Sequence, residues 1–319
     1  MSAQELSIVL VNHNGAGCIA QALDALAQNT EAESAECIVV DSGSSDGSWR
    51  ELEQRWDAVR VIRFEENVGF CTGCNRGAGA ASGRLLAFVN FDGKVEPGWD
   101  VPLRQLLDDP SVAVAAGLLV RSDGEELEAA GLAIAPNLAT YGRLEGAPRR
   151  AVPAAAVDVG AASGALMMVR RHDFLALGGF WETLFMYGEE ADYCLRAGGR
   201  VVLAPGSAIR HTHGQAAGPA LSDIRLYWPA RNRLLNTARH LPPLAALVSV
   251  LGSAVFDVLT LLRVRRRSAV SAVLRGWRQG LPSMPAQRSA RTRGERREAA
   301  RRTVSLRVAI EEHVRLRRL

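Results

Sequence analysis

The sequence predicts an α/β fold with a mostly parallel central sheet flanked by helices, followed by a helical, basic C-terminal extension. Short runs rich in Val and Ile alternate with helical patterns through the first half of the chain, as in the strands and crossover helices of a doubly wound sheet. A length of 319 residues with 48% hydrophobic content allows a large buried core. Residues 263–319 hold 17 Arg and 4 Glu, a net charge of +13, so the rest of this +4 chain carries −9.

Parallel strands are predicted where an apolar run ends in a polar or turn-forming residue. Four such runs cover residues 6–11, 36–41, 59–64 and 85–90, and helical patterns follow the first three at residues 18–28, 48–56 and 72–83. In doubly wound sheets, ligands bind in the crevice beyond the carboxyl ends of the strands. We therefore expect the polar strand ends to line one crevice; they are Asn12, His13, Asn14, Asp41, residues 66–69 and residues 90–92.

The next part of the chain completes the main domain, which we place at residues 1–240. Strands are expected at residues 112–120 and within 156–171, and a later strand ends near His211. A helix is expected from about residue 222, with a kink or a restart at Pro229, because proline removes a helical hydrogen bond.

Residues 244–262 form an apolar run of borderline length for a membrane span, with Asp257 inside it. Placed on a helix, the run has two faces. One is apolar and consists of Leu244, Val248, Leu251, Val255, Val258 and Leu262; the other consists of Ala246, Ser249, Ser253, Asp257 and Thr260. This pattern favours a helix that lies on a membrane or packs on the protein body, with a true span as the alternative.

We assign residues 241–281 to a helical membrane-associating region and residues 282–319 to a basic tail. The arginines after residue 262 would meet anionic lipid headgroups. Nucleic acid is disfavoured as a partner, because Trp277 is the only aromatic residue in 263–319 and no recognition module is present. The polar segment directly after Pro282 is expected to be disordered.

The five cysteines do not form a disulfide framework and suit a reducing compartment. The chain does not open with a basic segment and a long apolar run, so no secretory signal is expected. We therefore expect a cytoplasmic protein that is peripheral on the inner face of the cell membrane. The sequence does not define an oligomeric state.

Asp41 ends the second predicted strand and precedes the turn-forming run SGSSDGS. One interpretation is structural, with a turn that Asp46 or Ser48 caps before the next helix. The other is functional, with Asp41 accepting a hydrogen bond from a base or a sugar in the crevice. The sequence leaves both open.

Asn90 and Asp92 follow the fourth predicted strand in FVNFDGKV. A carboxylate at this strand end suits a divalent cation that bridges two phosphates, because Mg²⁺ is held by few protein ligands. The alternative is an ordinary Asp-Gly turn. His211 ends a later strand that exits toward the same crevice and is a second candidate ligand.

The remaining motifs give little evidence for a binding or catalytic site. GAGAASG (77–83) has the wrong spacing and position for a dinucleotide-binding loop and is interpreted as close helix packing. Cys71 and Cys74 have redox or zinc spacing, but no second ligand pair lies at a compatible distance along the chain. No phosphate-binding loop ending in Lys-Ser or Lys-Thr occurs, and GAASGA lacks the Gly-x-Ser-x-Gly spacing of a serine hydrolase.

Glu189, Glu190 and Asp192 stand within four positions in the stretch FMYGEEADYCLRAGG. A structural interpretation is the acidic first turn of a helix that starts at Gly188, since helix N-termini favour negative charge. Asp192 and Arg196 are four residues apart and can pair on one face. A functional interpretation makes the carboxylates catalytic.

Together, these motifs resemble those of the family 2 glycosyltransferases over roughly residues 5–240. SIVLVNHNG, VVDSGSSDGS, ENVGFCTGCNRG and FVNFDGKV are similar to the family's nucleotide-binding segments, and GAASGALMMVRR with GGFWETLFMYGEEADYCLRA is the most specific match. The resemblance implies a GT-A type nucleotide-binding fold, and the Asn-x-Asp segment leans toward a rhamnosyltransferase-like branch. The chain departs from the family pattern at Ser42, Phe91 and Glu190.

The resemblance also implies roles for individual residues. The residues implied for nucleotide-sugar binding are Asn12, Asn14, Asp41, Asn67, Gly69, Asn75 and Asn90. Asp92 and His211 are implied as ligands of a divalent metal, Mg²⁺ or Mn²⁺. Glu190 is implied as catalytic base, with Glu189 at the acceptor hydroxyls. The acceptor side is implied to include Ser163, Trp181 and Asp192, and Asp192 with Arg196 also holds the helix.

The implied function is an inverting transfer of a sugar from a nucleotide-diphosphate sugar, dTDP-rhamnose or a UDP-sugar, to a hydroxyl of a glycan or lipid-linked acceptor in cell-envelope polysaccharide synthesis. A carboxylate must take the hydroxyl proton during attack, and a cation stabilises the departing diphosphate. One alternative is a nucleotidyltransferase, which would need a basic triphosphate loop after the first strand, whereas VNHNGAG has no Lys or Arg. The other is a catalytically inactive binding protein on the same fold.

Overall fold

The computed structural model describes residues 4–55, 59–211, 222–288 and 293–303, in which helices flank one large sheet. The strands are β1 (Leu6–Asn12), β2 (Ala35–Ser42), β3 (Val59–Phe64), β4 (Leu85–Val89), β5 (Gly93–Val95), β6 (Val112–Arg121), β7 (Leu127–Ala130), β8 (Leu132–Ile134), β9 (Thr140–Gly142), β10 (Val157–Asp158), β11 (Leu166–Arg170) and β12 (Arg200–His211). The helices are α1 (Ile19–Asn29), α2 (Ser48–Arg55), α3 (Gly69–Ala80), α4 (Asp100–Leu106), α5 (Arg171–Ala176), α6 (Glu189–Arg196), α7 (Asp223–His240), α8 (Pro243–Val264), α9 (Arg267–Gln287) and α10 (Arg293–Arg301). Two short 3₁₀ helices cover Arg149–Ala151 and Glu182–Leu184.

The large sheet has the order β10-β12-β6-β11-β4-β1-β2-β3, and β5 and β7 pair at its side with β12 and β6. The four strands predicted in the first half of the chain form its parallel part, with the predicted helices between them. The register places Asn12 opposite Asp41. The mostly parallel α/β prediction is therefore confirmed, and these two strand ends lie side by side.

Helix α3 packs closely on β1 because it contains glycine. A Cβ atom at Gly77 would lie 2.4 Å from Cγ1 of Val9, so a larger residue would force the helix away from the strand. The interpretation of GAGAASG as a packing motif is confirmed. Cys71 and Cys74 are buried in the same helix, and burial raises the pKa of both thiols, which disfavours the reactive thiolate.

Strand β12 brings the later part of the chain to the crevice. It pairs parallel with β6, and its last residues pair antiparallel with the short β5. His211 is thereby opposite Gly93, the residue after Asp92. Strand β11 runs antiparallel between β4 and β6 and follows the loop that contains Ser163.

Helix α7 is continuous, so the restart expected at Pro229 does not occur. Ser222, the residue before the helix, caps it by accepting a hydrogen bond from the backbone N–H of Arg225 through its side-chain oxygen. The helix packs against α6, α8, α9 and α10. This packing outweighs the one helical hydrogen bond that proline removes, because tertiary contacts contribute most of the stability of helices in proteins.

Helix α9 extends through Pro282 to Gln287, so the expectation of disorder directly after Pro282 is wrong. Its glycines fit it against α7: a Cβ atom at Gly280 would lie 2.8 Å from Cδ1 of Leu234. This close packing holds the helix although it contains two prolines.

Helix α10 packs on the body, where Ala299 joins the main core. After it, the guanidinium of Arg302 donates to carbonyl oxygens at the end of α6 at 3.0–3.3 Å; these belong to Cys194, Gly198 and Gly199. The predicted basic tail thus begins as a docked helix, and residues 304–319 of it lie outside the described part of the chain.

Helix α8 is the one helix of the described chain that is long and apolar enough to cross a membrane by length and composition, with 22 residues and a mean hydropathy of 2.1. Its buried residues are Ala246, Ser249, Ser253 and Asp257. Its apolar face is exposed. The two faces predicted from the sequence are present, and the more polar one lies toward the protein.

Candidate active site

A buried polar network joins the ends of β1 and β2. The side-chain amide of Asn12 donates to Oδ2 of Asp41 at 2.7 Å and to Oγ of Ser48 at 2.9 Å. The backbone N–H of Ser44 donates to Oδ1 of Asp41 at 3.2 Å. Asn12 and Asp41 are fully buried, and Oδ1 of Asn12 has no hydrogen-bond partner within the described chain. Asp41 therefore holds the turn after β2, and its contact to a nucleotide stays a prediction.

Further hydrogen bonds join the loops that follow β1, β2 and β3. Oδ1 of Asn14 accepts from the backbone N–H of Ser45 at 2.8 Å. The hydroxyl of Ser42 donates to Oδ1 of Asn67 at 3.0 Å, and that oxygen also accepts from the N–H of Gly69 at 2.9 Å. The structure thus brings Asn14, Asn67 and Gly69 to the same edge of the sheet as Asn12 and Asp41.

Pairing of β5 with β12 brings Asp92 and His211 together. Nε2 of His211 lies 3.0 Å from Oδ1 of Asp92 and 3.1 Å from the side-chain nitrogen of Asn90, whereas its Nδ1 lies 2.9 Å from Oε2 of Glu128 on β7. Burial disfavours a charged imidazole, but hydrogen bonds and charges from Asp92 and Glu128 outweigh it and raise the pKa of His211 to about 10. Sequence reasoning missed Glu128, because no motif surrounds it.

This donor set fits a divalent cation that also binds phosphate. Two adjacent ligands of an octahedral ion with bonds of about 2.1 Å lie about 3 Å apart, which matches the 3.0 Å between Asp92 and His211. Among the described residues, no group of three or more His, Cys, Asp or Glu side chains is arranged to hold a metal by itself. Two protein ligands leave the other positions to phosphate oxygens and water.

The segment that leads into α6 has an unusual backbone. The φ angle is positive at Phe185 (64°), Tyr187 (67°) and Gly188 (88°). A residue other than glycine costs about 1–3 kcal/mol in such a conformation, which persists only where the surroundings fix the chain. The ring of Phe185 stacks on Trp228 of α7, with centroids 4.6 Å apart.

Helix α7 fixes this segment through two buried asparagines. The side-chain amide of Asn232 lies 2.8–2.9 Å from the carbonyl oxygens of Leu184, Met186 and Tyr187. One turn later, Asn236 donates to the carbonyl oxygen of Gly188 at 2.9 Å. Sequence reasoning missed both asparagines; their one signal is the spacing of two amides by four residues, which places them on one face of a helix.

Glu189 and Glu190 begin α6 directly after Gly188, as predicted. Glu189 is only 4% exposed, and its Oε2 has no hydrogen-bond partner within the described chain. Burial and the neighbouring charge of Glu190 raise the pKa of Glu189 well above its usual value. Burial also raises the pKa of Glu190, but hydrogen bonds, including one from the backbone of Gly164, oppose this. Glu189 is therefore the member of the pair that more readily holds a proton, and Glu190 is the better candidate for the carboxylate.

Asp192 is fully buried among three cationic side chains. Its Oδ1 lies 2.8 Å from Nε2 of His240 and 3.2 Å from Nε of Arg239, and its Oδ2 lies 2.7 Å from Nη2 of Arg196. Burial opposes the charge, but His240 and both arginines hold the pKa of Asp192 far below its usual value. The predicted pairing with Arg196 is confirmed, and Asp192 joins α6 to α7. Its contact to an acceptor stays a prediction.

Ser163 lies beside the carboxyl pair, because the N–H of the next residue, Gly164, hydrogen-bonds to Glu190. Glycine is needed at position 164, where a Cβ atom would lie 2.8 Å from the ring of Phe70. The predicted acceptor loop and the predicted base are therefore neighbours.

Trp181 and Asn75 belong to a different set of contacts. The guanidinium of Arg239 lies 4.3 Å from the ring centre of Trp181. Asn75 exchanges two hydrogen bonds of 2.8 and 2.9 Å with the backbone of Phe180. Trp181, Asn75 and Arg239 line a cavity of about 300 Å³. The structure thus gives Asn75 a role in holding the chain next to Trp181.

The hydroxyl of Tyr187 feels the charges of both carboxylate groups, Asp92 on one side and Glu189 with Glu190 on the other. Burial raises the pKa of its hydroxyl to about 12, against the nearby charge of Arg225, and the charges of Glu189, Glu190 and Asp92 add to the rise. Charge interactions act strongly only over short distances in protein. The charges of Asp92 and of the Glu189–Glu190 pair therefore both lie close enough to Tyr187 to act on its hydroxyl.

One known family model matches the first half of the chain. Residues 7–174 match the family model described as glycosyl transferase family 2. The match covers more than half of the chain and includes the strand-end network and Asp92, but it ends before Glu189. A search of curated proteins found no match.

Solved structures with the same fold have low sequence identity to the chain. GalNAc-T7 with UDP, GalNAc and Mn²⁺ aligns with a TM-score of 0.56 and 20% identity, over 72% of this chain and 47% of that chain. Mannosyltransferase PcManGT from Pyrobaculum calidifontis with GDP-Man and Mn²⁺ aligns with a TM-score of 0.53 and 16% identity, over 94% of this chain and 87% of that chain. S. aureus TarS 1–349 with UDP-GlcNAc aligns with a TM-score of 0.55 and 14% identity, over 89% of this chain and 84% of that chain. The chain spans about half the length of the first of these.

Proposed function

Because this chain belongs to glycosyl transferase family 2 and has the GT-A fold, we propose that it transfers a sugar from a nucleotide-diphosphate sugar to an acceptor hydroxyl with inversion at the anomeric carbon. The observation that carries the proposal is that the hydrogen-bonded Asp92–His211 pair and the Glu189–Glu190 pair are near enough for the charges of Asp92, Glu189 and Glu190 to act on the same residue, Tyr187. The first pair suits a cation that binds a diphosphate. The second pair suits removal of a proton from the acceptor hydroxyl.

The donor is proposed to bind at the strand-end network. Candidates for its contacts are Asn12, Asn14, Asp41, Asn67, Gly69 and Asn90. The partnerless Oδ1 of Asn12 supports this, because a buried acceptor normally has a donor. Asn75 can contact the donor only by giving up its hydrogen bonds to Phe180.

Asp92 and His211 are proposed to hold a divalent metal, Mg²⁺ or Mn²⁺. When bound, such a cation stabilises the negative charge of the departing diphosphate. Glu128 accepts a hydrogen bond from Nδ1 of His211, so Nε2 is the nitrogen that would give up its proton to bind the ion. The presence of Mn²⁺ with the nucleotide ligands of GalNAc-T7 and PcManGT supports the proposal.

Glu190 is proposed as the catalytic base. An acceptor hydroxyl has a pKa far above 7, so it must lose its proton while its oxygen attacks the anomeric carbon. Glu190 takes that proton, and the bond between the anomeric carbon and the diphosphate oxygen breaks on the opposite face. Glu190 is more accessible than Glu189, and the pKa of Glu189 is the more strongly raised of the two, so Glu189 is the more easily neutralised neighbour.

We propose dTDP-rhamnose or a UDP-sugar as donor, and a glycan or lipid-linked acceptor of cell-envelope polysaccharide synthesis. Ser163 beside Glu190 supports an acceptor position there, with Trp181 and Asp192 as further acceptor-side candidates. We propose that the reaction takes place at the cytoplasmic face of the cell membrane; the exposed apolar face of α8 supports the membrane part of this proposal.

The test is donor hydrolysis by the purified chain, with dTDP-rhamnose, UDP-galactofuranose and UDP-GlcNAc, with and without Mn²⁺ or Mg²⁺. We expect slow, metal-dependent release of a nucleoside diphosphate from one donor and loss of this release in Asp92→Asn. Release of pyrophosphate from a nucleoside triphosphate and a sugar phosphate would instead identify a nucleotidyltransferase. Donor binding without any release would identify a catalytically inactive binding protein.

A further inference from the structure

We propose that α8 and α9 form a docking surface that lies flat on an anionic lipid bilayer, and that α8 does not cross the bilayer. The docking surface consists of the exposed apolar side chains Leu244, Leu247, Val248, Leu251, Val255, Phe256, Val258, Leu259, Leu262, Val270, Leu274 and Leu281. The inference rests on the membrane location in the proposed function but not on sugar transfer. The chain can therefore bind vesicles even if it does not transfer sugar, and it can transfer sugar even if it does not bind vesicles.

Helix α8 is amphipathic in the opposite sense to a surface helix of a water-soluble protein. Ser249, Ser253 and Asp257 are buried against the body, whereas Leu251 and Val255 are 59% and 60% exposed. Within the described chain, only three further large apolar side chains are exposed; they are Leu175, Leu177 and Ile224, all outside α8 and α9. A contiguous apolar surface of this length marks a site of interaction with a partner or a membrane.

The buried face of α8 is bonded to its neighbours over two turns. The hydroxyl of Ser249 lies 2.6 Å from that of Thr237. Asp257 pairs with the guanidinium of Arg233 and accepts a hydrogen bond of 2.7 Å from the indole N–H of Trp277. Asp257, the residue that made a span doubtful in the sequence, is thus neutralised by α7 and α9.

These bonds exclude a span in this structure. If α8 crossed a bilayer, either α7 would enter it as well or the Asp257–Arg233 pair would break inside it. Helix α7 carries four arginines and packs on the catalytic helix α6. A lone charge in hydrocarbon is strongly unfavourable. Helix α8 therefore meets lipid with its exposed face only.

Helix α9 extends the same surface. Leu274 is 61% exposed, and Val270 and Leu281 are also exposed. The opposite face of α9 packs closely on α7: a Cβ atom at Gly276 would lie 2.8 Å from the carbonyl oxygen of Tyr227. Helix α7 thus fixes both helices with their apolar faces outward.

Charge indicates that the partner is anionic lipid. Residues 258–294 contain nine arginines and no Asp or Glu. Arg263, Arg265 and Arg267, at the turn between α8 and α9, are all exposed. Basic residues beside an apolar face stabilise binding to anionic headgroups. In a dimer through the same face, each copy would present only positive charge to the other.

The binding test is flotation of the full chain with vesicles of phosphatidylcholine alone or mixed with phosphatidylglycerol. We expect strong flotation with the mixed vesicles, weak flotation with the neutral ones, and loss of binding in high salt. The double variant Leu251→Gln, Val255→Gln should weaken binding by about tenfold or more, because each change removes a large apolar contact. The matched control is Leu175→Gln, Leu177→Gln, which alters exposed leucines elsewhere and should bind like the unchanged chain.

Orientation is tested with Pro243→Cys and Arg263→Cys, exposed positions at the two ends of α8 that are not part of the apolar docking surface. Inverted membrane vesicles of the expression host, whose outer surface is cytoplasmic, are treated with a membrane-impermeant thiol reagent, and labelling is read peptide by peptide by mass spectrometry. A helix that lies flat labels at both ends. Circular dichroism of each variant checks that the fold is intact.

Three results would overturn the proposal. Labelling at only one end of α8 would show a span. Equal flotation of the folded Leu251→Gln, Val255→Gln variant would show that the docking surface does not contact lipid. A dimer in solution that the same double variant dissociates, without vesicle binding by the unchanged chain, would show that a second copy covers the surface.

Discussion

Nδ2 of Asn232 lies 2.8 Å from the carbonyl oxygen of Tyr187, the residue whose hydroxyl feels the charges of Asp92, Glu189 and Glu190. The same nitrogen also contacts two other carbonyl oxygens of the strained segment before α6. Helix α7 therefore fixes the position of the proposed catalytic carboxylates, Glu189 and Glu190, through the segment that precedes them.

Replacing Asn232 by Ala should lower kcat by about tenfold or more, because small displacements of catalytic groups are costly. The KM for the donor should change little, since the proposed donor contacts lie on other loops. The loss of buried hydrogen bonds should also lower the free energy of unfolding by about 1–3 kcal/mol. Asn236→Ala, which removes one bond, is the matched control with a smaller effect. Steady-state kinetics that show an unchanged kcat would contradict a positioning role.

Glu190→Gln should lower the transfer rate by about 10²–10⁴-fold, as expected for loss of a general base. Glu189→Gln should have a much smaller effect, because glutamine resembles the protonated acid. Transfer is measured with a saturating donor, and donor binding serves as the control. Near-normal transfer by Glu190→Gln, together with none by a folded Asp192→Asn, would reassign the base to Asp192.

Glu189→Gln should also change how stability depends on pH. The folded-state pKa of Glu189 is raised above its ordinary value of 4.5, so its protonated form stabilises the fold below that value and the benefit is lost as pH rises through the folded pKa. Glutamine does not titrate, so the variant should gain stability relative to the unchanged chain as pH rises. Urea unfolding of both proteins from pH 4 to pH 8 measures the difference. A difference that does not vary with pH would place the proton elsewhere.

Glu128→Gln should weaken metal binding by about 10–100-fold, because it removes the charged partner that orients His211. Asp92→Asn should weaken it further by removing a ligand. Mn²⁺ titration in the presence of UDP, followed by electron paramagnetic resonance, measures this without catalysis. Glu126→Gln, a change on the exposed surface of the same segment, is the control. Equal Mn²⁺ affinity of all three variants would exclude the Asp92–His211 site.

Asp257→Leu should lower the free energy of unfolding by about 3–5 kcal/mol, because it leaves the buried Arg233 without its counter-charge. The double variant Asp257→Leu, Arg233→Leu should recover most of that loss, since an apolar pair can replace a buried ion pair. Urea unfolding of the three proteins measures the coupling. Strictly additive losses would show that the two side chains act separately.

The sequence was sufficient to predict the parallel half of the sheet and the residues at its strand ends. Strands such as β1 are buried on both faces and therefore read as continuous apolar runs. The start of α6 after Gly188 was predictable from its acidic first turn, and the two faces of α8 from helical periodicity.

The residues that support the site were not predictable in the same way. Glu128 reaches His211 only because β7 and β12 both pair with β6. Asn232 and Asn236 read as ordinary polar residues of a surface helix, yet both are buried against backbone carbonyls. The contacts of Asp192 were predictable only in part. The four-residue spacing predicts its pairing with Arg196, but Arg239 and His240 reach it from another helix, α7. Such contacts depend on the tertiary arrangement and leave no local periodicity.

The contact of Arg302 with the end of α6 has a consequence for biosynthesis. Chains are made from the N-terminus, and their parts fold as they emerge. Strands β1 to β4 are complete long before residue 302 is added, whereas the helix that carries Glu189 and Glu190 receives its last stabilising contact only then. The apolar helices α8 and α9 emerge earlier than α10. If α8 and α9 bind lipid as proposed, a newly made chain is therefore able to reach the membrane before α6 has all of its stabilising contacts.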